Sequence, residues 1–310
     1  MAELQTKAVK MMKYYQRREQ AAGWLFAAPA IIGFIVFTLL PMIFSLYWSF
    51  TNFNVFAKTT DFVGFDNFRN MFSAKDLYFS DSLKATAYYS LLNVPASILF
   101  AFTIALMLSS NIKGRGIFRS LFYLPSIIPA VATCMVWLWL MNQQYGLFNI
   151  VLKSIGVTPP GWIWDKRTVI PTIVFMNMWS TGGTMVIFLA GIMNIPKVYY
   201  EAVTVDGGNG FHKLFYITIP MVTPTLFFNS VMAIINSLQV FTAGYIMTDG
   251  GPANASLFYC LYLYLKAFTN AEMGYACALA WFLFIIVMIL TAIVFSTQKK
   301  WVYYADGGND

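Results

Sequence analysis

Asn177, Thr181 and Thr184 stand at i, i+4 and i+7, while Asn229 and Asn236 stand seven apart with Ser237 and Gln239 close behind. At about 100° per residue each set gathers toward one side of a helix. All seven are neutral donors and acceptors, and the runs that carry them, 169–193 and 222–247, contain no Asp, Glu, Lys or Arg. Two chemistries fit these groups. They either hydrogen-bond one another across packed helices, or form a wet stripe that meets the hydroxyl groups of a passing sugar. Trp179, Phe241 and Tyr245 lie beside them and offer ring faces for stacking on a sugar, or plain packing. A phosphate or carboxylate would need Arg, Lys or a helix N-terminus in place of its hydration shell. No run has a basic side chain near its centre, so the stripe suits an uncharged solute.

Other chemistries lack their parts. No G-x-x-x-x-G-K-[ST] segment is present to cradle ATP phosphates, so no cofactor is expected on this chain and any ATPase must be another polypeptide. The single histidine, His212, has no partners for a metal site or a nucleophile triad and reads as a surface residue. Cys134, Cys260 and Cys277 lack metal-ligand spacing and read as small buried hydrophobes. No catalytic residue and no metal site is expected. Asp206-Gly207-Gly208-Asn209-Gly210 looks like a phosphate loop but lacks the strand before it and the Lys-Ser after it. It reads instead as a helix stop.

The elements that must position the stripes are membrane spans. Of 310 residues, 59% are hydrophobic and only 11% charged, against about 25% charged in soluble domains. The net charge of +7 comes from basic residues beside apolar runs, not from a groove-sized patch, so no nucleic-acid partner is expected and the lipid bilayer is. Six helices are predicted, at 23–50, 86–110, 118–142, 169–193, 222–247 and 275–297, each long enough to cross hydrocarbon about 30 Å thick. The first exceeds the roughly 7–15 residues of a signal-peptide core and is expected to remain as a span. The domain division is therefore a cytoplasmic N-terminal segment at 1–22, a six-helix transmembrane domain at 23–297 and a cytoplasmic tail at 298–310. Lys7, Lys10, Lys13, Arg17 and Arg18 set the N-terminus inside, and six spans return the C-terminus there. On that topology the cytoplasmic segments hold 12 of the 20 Lys and Arg, a bias in the expected direction. Prolines within or at the starts of spans, Pro29, Pro41, Pro95, Pro125 and Pro129 among them, predict kinked helices around a cavity. The loop with Pro159-Pro160-Gly161-Trp162 reads as an outer cap, and Tyr259, Tyr262 and Tyr264 as an aromatic belt or docking surface.

Between the fourth and fifth spans lies the stretch 198–220. Tyr199, Tyr200, Ala202 and Val203 can form one face of a short helix lying flat, at 198–209, which Asp206 to Gly210 would end. Glu201-Ala202, Gly207, nine residues, Ile217 and then Ile219-Pro220 resemble the "EAA" signature of permease subunits of bacterial ABC importers. The family pattern has a third Ala where this chain has Val203, and Leu where it has Ile219. Asp206 before Gly207, together with Thr248-Asp249-Gly250-Gly251-Pro252, is similar to the carbohydrate branch of maltose-permease type. The resemblance covers most of the chain from about residue 90 onward.

That resemblance implies an all-α type I importer permease in a bacterial inner membrane, with both termini cytoplasmic. It implies a second homologous permease, two ATP-binding subunits that carry ATP and Mg, an extracytoplasmic solute-binding protein and a carbohydrate substrate. Glu201, Ala202, Asp206, Gly207, Ile217 and Pro220 would then serve ATPase coupling. Glycerol phosphate or another small polar solute is the alternative cargo, and a secondary transporter working alone is the rival class. The spans lack the carboxylates that ion-coupled carriers commonly place at mid-membrane, which disfavours the rival.

Overall fold

The computed structural model describes residues 2–57, 60–73, 76–110 and 112–303, and among these the chain is helical, with one isolated β-bridge between Thr51 and Phe62. Helix α1 (Ala2–Phe34) passes through a π turn, Ile35–Leu39, into α2 (Leu40–Ser49). The basic segment expected to precede the first span is therefore its helical extension, because Lys, Arg, Glu, Gln, Ala and Met are all strong helix formers. The π turn lies just before Pro41. Proline has no N–H and its ring presses on the carbonyl four residues back, so the wider turn makes room, with Leu40 N–H bonding the Ile35 carbonyl. The same arrangement recurs at Leu214–Thr218, ahead of Pro220.

After the short α3 (Asp66–Met71), helix α4 (Leu77–Ser109) is the central post, packed against the helices at Val169–Trp179, Gly182–Met193, Ile219–Leu238 and Tyr259–Tyr264. It begins well before residue 86, where the span was expected, because Asp76 caps it: Oδ1 accepts from Phe79 N–H at 3.1 Å. Oδ2 of the same carboxylate accepts from Tyr262 Oη at 2.6 Å and from Tyr275 Oη. An acid that reads as loop charge in sequence is thus the fastening point of three helices. Ala101 and Ala105, both fully buried, let α4 approach its neighbours closely.

Three of the expected spans differ in form. The one at 118–142 is α5 (Arg115–Tyr123), a 3₁₀ turn Leu124–Ile127 and α6 (Ala130–Leu140), bent by 100° at Ile128-Pro129. The one at 169–193 divides, after the short outer helix α7 (Leu147–Ser154), into α8 (Val169–Trp179) and α9 (Gly182–Met193), bent by 53°. Gly182 lets the break form, because a Cβ there would come within 2.5 Å of the Phe122 carbonyl. The span expected at 222–247 is helix α12 (Ile219–Leu238), which is continuous with residues from Gly210 and stops at Gln239. A π turn, Gly244–Thr248, follows separately. Among the described residues, four helical stretches are long and apolar enough to cross a membrane as they stand, and six if each bent pair counts as one span.

Helix α13 (Tyr259–Tyr264) corrects the belt expectation: Tyr259 and Tyr262 are buried in a core with Phe79, Leu238 and Leu279. The last helix, α14 (Met273–Trp301), packs on α2 and α12, and the tail expected at 298–310 falls partly outside the described residues. The most hydropathic window of the first span buries nothing within the chain, and Phe26 and Phe37 are 88% and 81% exposed. In water each such ring would forgo about 25 cal/mol per Å² of burial; hydrocarbon removes that penalty.

Candidate functional site

Where the spans break, they break together. The 3₁₀ turn at Leu124–Ile127 with the start of α6, the facing ends of α8 and α9, and α12 from Asn229 onward converge on a cavity of 520 Å³. Broken helices leave backbone groups without helical partners, and within a membrane such groups persist only where they face protein or a water-filled space. Neither α6, which follows Pro129, nor α9, which follows Thr181, has a side-chain cap. The breaks thus both shape the cavity and make it polar.

Asn177, Thr181 and Thr184 line it from α8 and α9, and Asn229, Asn236, Ser237, Gln239 and Phe241 line it from α12 and just beyond. The face expected for Asn177, Thr181 and Thr184 is not that of one regular helix, since the bend falls among them; the bend nevertheless keeps all three on the cavity. Trp179 and Tyr245 are elsewhere. Trp179 packs edge-on against Trp137 at 5.9 Å, and Tyr245 stacks on Phe241 at 5.4 Å with Tyr264 behind it. Phe241 therefore touches the cavity and transmits it to an aromatic cluster.

Sequence reasoning missed the α4 wall: Tyr89, Asn93 and Ser97. Their spacing of four residues is itself a helical face, a signal present in the sequence but on a helix remote from the loop at 198–220. Asn177 Nδ2 donates to Asn93 Oδ1 at 2.8 Å, tying α8 to α4 across the cavity wall. Ser126 and Thr133 complete the lining beside the α5/α6 break. No carboxylate, ammonium, guanidinium or imidazole is among the lining groups. Asn229 is 3% exposed, and its Nδ2 has no hydrogen-bond partner among the described residues. A buried amide donor without a partner costs roughly 1–3 kcal/mol, so this one calls for an acceptor supplied from the cavity.

The loop beyond α9 forms helix α10 (Lys197–Val205), shorter than the 198–209 expected, and Gly207 ends it at φ +77°. A Cβ in that left-handed conformation costs roughly 1–2 kcal/mol. Glu201 lies mid-helix, and Glu201, Ala202 and Asp206 are all exposed. Neither carboxylate makes an ion pair among the described residues. Tyr200 and Val203 turn inward, whereas Tyr199 and Ala202 face out, so the flat face is narrower than its sequence pattern. Asn209 caps the next short helix, α11 (Gly210–Lys213), accepting from Phe211 N–H at 3.0 Å and His212 N–H at 3.1 Å. His212 Nδ1 returns to the Asn209 N–H at 3.3 Å, which gives this histidine a capping role. Val205 and Phe211, 87% and 73% exposed, stand on either side of the turn. Ile217 is half-buried and Pro220 sits in the first turn of α12.

The second signature, Thr248 to Pro252, is a closed turn. Asp249 and Gly250 adopt positive φ, and buried Ser256 Oγ lies 2.7 Å from Thr248 Oγ1 and 2.5 Å from the Gly251 carbonyl. No group of three or more His, Cys, Asp or Glu able to hold a metal occurs among the described residues.

Comparison with known proteins agrees with this architecture. A probable ABC transporter permease protein, YesP of Bacillus subtilis (strain 168), is 41% identical over 292 residues, covering 93% of this chain and 94% of that protein. The trehalose/maltose transport system permease protein MalF of Thermococcus litoralis is 29% identical over 277 residues, covering 89% and 93%. A chain of the bacterial alginate ABC transporter, solved with an alginate pentasaccharide-bound periplasmic protein, superposes with a TM-score of 0.80 at 21% identity, covering 93% of this chain and 97% of that one, so the fold is shared. Residues 94–302 match the family described as binding-protein-dependent transport system inner membrane component, and this chain belongs to that family.

Proposed function

We propose that this chain is the membrane-spanning permease subunit of an ATP-driven importer for a neutral sugar or oligosaccharide, and that the cavity at the helix breaks is the solute's path. The observation that carries the reading is the neutral, hydrogen-bonding lining of that cavity. A sugar needs donors and acceptors in number but no counter-charge, and Asn93, Asn177, Thr184, Asn229, Asn236 and Gln239 supply them. Each bond contributes about 1 kcal/mol net, so the site in the membrane is weak and selectivity rests with the solute-binding protein. The name of one relative, a trehalose/maltose transport system permease protein, supports a carbohydrate cargo.

The chain works with a second homologous permease, two ATP-binding subunits holding ATP and Mg, and an extracytoplasmic binding protein. It sits in the bacterial cell membrane with both termini in the cytoplasm, and itself carries no hydrolytic site. Helix α10 and the turn at Gly207 form the face that meets the ATPase. Their exposed carboxylates and the apolar side chains Val205 and Phe211 have no use within the chain, which suits a docking face. The test is reconstitution into proteoliposomes with the partner subunits. Uptake that requires both ATP and the binding protein is expected. Uptake by the purified chain alone, driven by a proton or sodium gradient, would replace the reading with a secondary carrier.

A further inference from the structure

One polar contact joins the docking face to the helix that lines the cavity. Tyr200, half-buried on α10, has its Oη 3.0 Å from Thr218 Oγ1. Thr218 is 4% exposed and its hydroxyl donates to the Lys213 carbonyl at 3.2 Å. A hydroxyl has one proton to give, so Tyr200 is the donor and Thr218 the acceptor in their pair. Thr218 closes the π turn Leu214–Thr218, and Ile219 and Pro220 open α12 immediately after it. From there α12 runs unbroken to Leu238 and carries Asn229, Asn236 and Ser237 into the cavity, about 26 Å from Ile219 to Asn236 at 1.5 Å per residue.

The surroundings of this contact are apolar: Tyr200 and Ile217 pack on the cluster that holds Ile192, Ile195 and Val222. Apolar contacts permit sliding, whereas a buried hydrogen bond fixes one register. A π turn is a local widening of the helix with an extra residue in the turn, and such turns are frequent at functional sites. The sequence makes it here because Pro220 cannot bond the Tyr216 carbonyl.

We propose that the Tyr200–Thr218 hydrogen bond is the tie through which displacement of α10 reaches α12 and hence the cavity, with the proline-enforced π turn as the joint it acts on. Tyr200 and Thr218 are positioning residues in this scheme. It rests on the reading of α10 as the ATPase-facing helix.

The experiment follows the cavity itself and needs no knowledge of the solute. In the assembled importer, with Cys134, Cys260 and Cys277 replaced by Ser, Ala233→Cys reports on the cavity wall through its rate of alkylation by N-ethylmaleimide. The rate is compared without nucleotide and with a non-hydrolysable ATP analogue. A difference of at least fivefold between the two states is expected. Tyr200→Phe and Thr218→Val should each reduce it below twofold, with analogue binding and the thermal midpoint of the complex unchanged. Thr218→Ser, which keeps the hydroxyl, should restore it. The double variant should match the single ones, since both remove the same bond. Where Thr218→Val fails to assemble, Tyr200→Phe and Thr218→Ser decide the matter. Gly207→Asp separates the two levels of the argument. If it abolishes the response while Tyr200→Phe leaves it intact, the tie is wrong and the docking face stands. If Gly207→Asp also responds fully, the docking face is wrong. Additive losses in the double variant would equally overturn the tie.

Discussion

Asn229 and Gly207 carry the sharpest demands on single residues. The Asn229 amide is buried against the cavity with an unpartnered donor, so Asn229→Leu removes a cost as well as a contact. Its stability should change by less than about 1 kcal/mol, while uptake falls several-fold. Denaturation midpoints in detergent, measured beside uptake, check this, and a loss of fold with no specific loss of uptake would make the residue purely structural. Gly207→Asp forces a side chain into φ +77° and adds a charge to the docking face, so uptake should be abolished while membrane insertion persists. Normal uptake with the ATPase attached would remove this residue from coupling. Gly207 and the cavity asparagines were legible in sequence because glycine in a polar stop and amides in an apolar run each violate a simple expectation. Asn93 was not, although it bonds Asn177, because one amide on a long apolar helix reads as packing until its partner is known.

Helices were easier to foresee than their ends. Hydropathy over a window of some twenty residues averages across a bend, so the break at Ile128-Pro129 read as a proline kink and the one at Ser180-Thr181 as unbroken helix. Yet those breaks create the cavity; Pro129 was legible as a kink, whereas the part of Gly182 shows only in its close approach to the Phe122 carbonyl. The start of α4 was missed for a different reason. Asp76 acts through Tyr262 and Tyr275, residues nearly two hundred positions away, and no local pattern discloses such a contact. Asp76→Ala should therefore destabilise the outer end of three helices at once, by roughly 2–4 kcal/mol, from the lost cap and two lost charge-assisted bonds. Asp76→Asn should recover part of this. Thermal unfolding of the purified protein measures both, and a change under about 0.5 kcal/mol for the alanine variant would show that the cluster fastens nothing.

At the scale of the molecule, the helical architecture was legible from six long apolar runs, but the surface they leave unpacked was not. The first span buries none of its most hydropathic window within the chain, so the chain as a unit depends on lipid and on neighbours for that surface. The basic residues make the topology a prediction. With native thiols removed, single cysteines at Lys113 and Lys299 should react with an impermeant reagent only after permeabilisation, and those at Asp61, Trp162 and Asn254 should react from outside. Reaction at 254 only after permeabilisation would overturn the six-span arrangement. The central claim is that a neutral cavity at the helix breaks carries an uncharged sugar through the membrane. It is tested most directly by uptake in proteoliposomes of the complete importer bearing Asn236→Leu or Thr184→Leu, two positions that line the cavity from different helices. The expected result is uptake reduced about tenfold with basal ATP hydrolysis and assembly unchanged, as the loss of one or two hydrogen bonds of about 1 kcal/mol each would give. Uptake at the wild-type rate in both variants would contradict it.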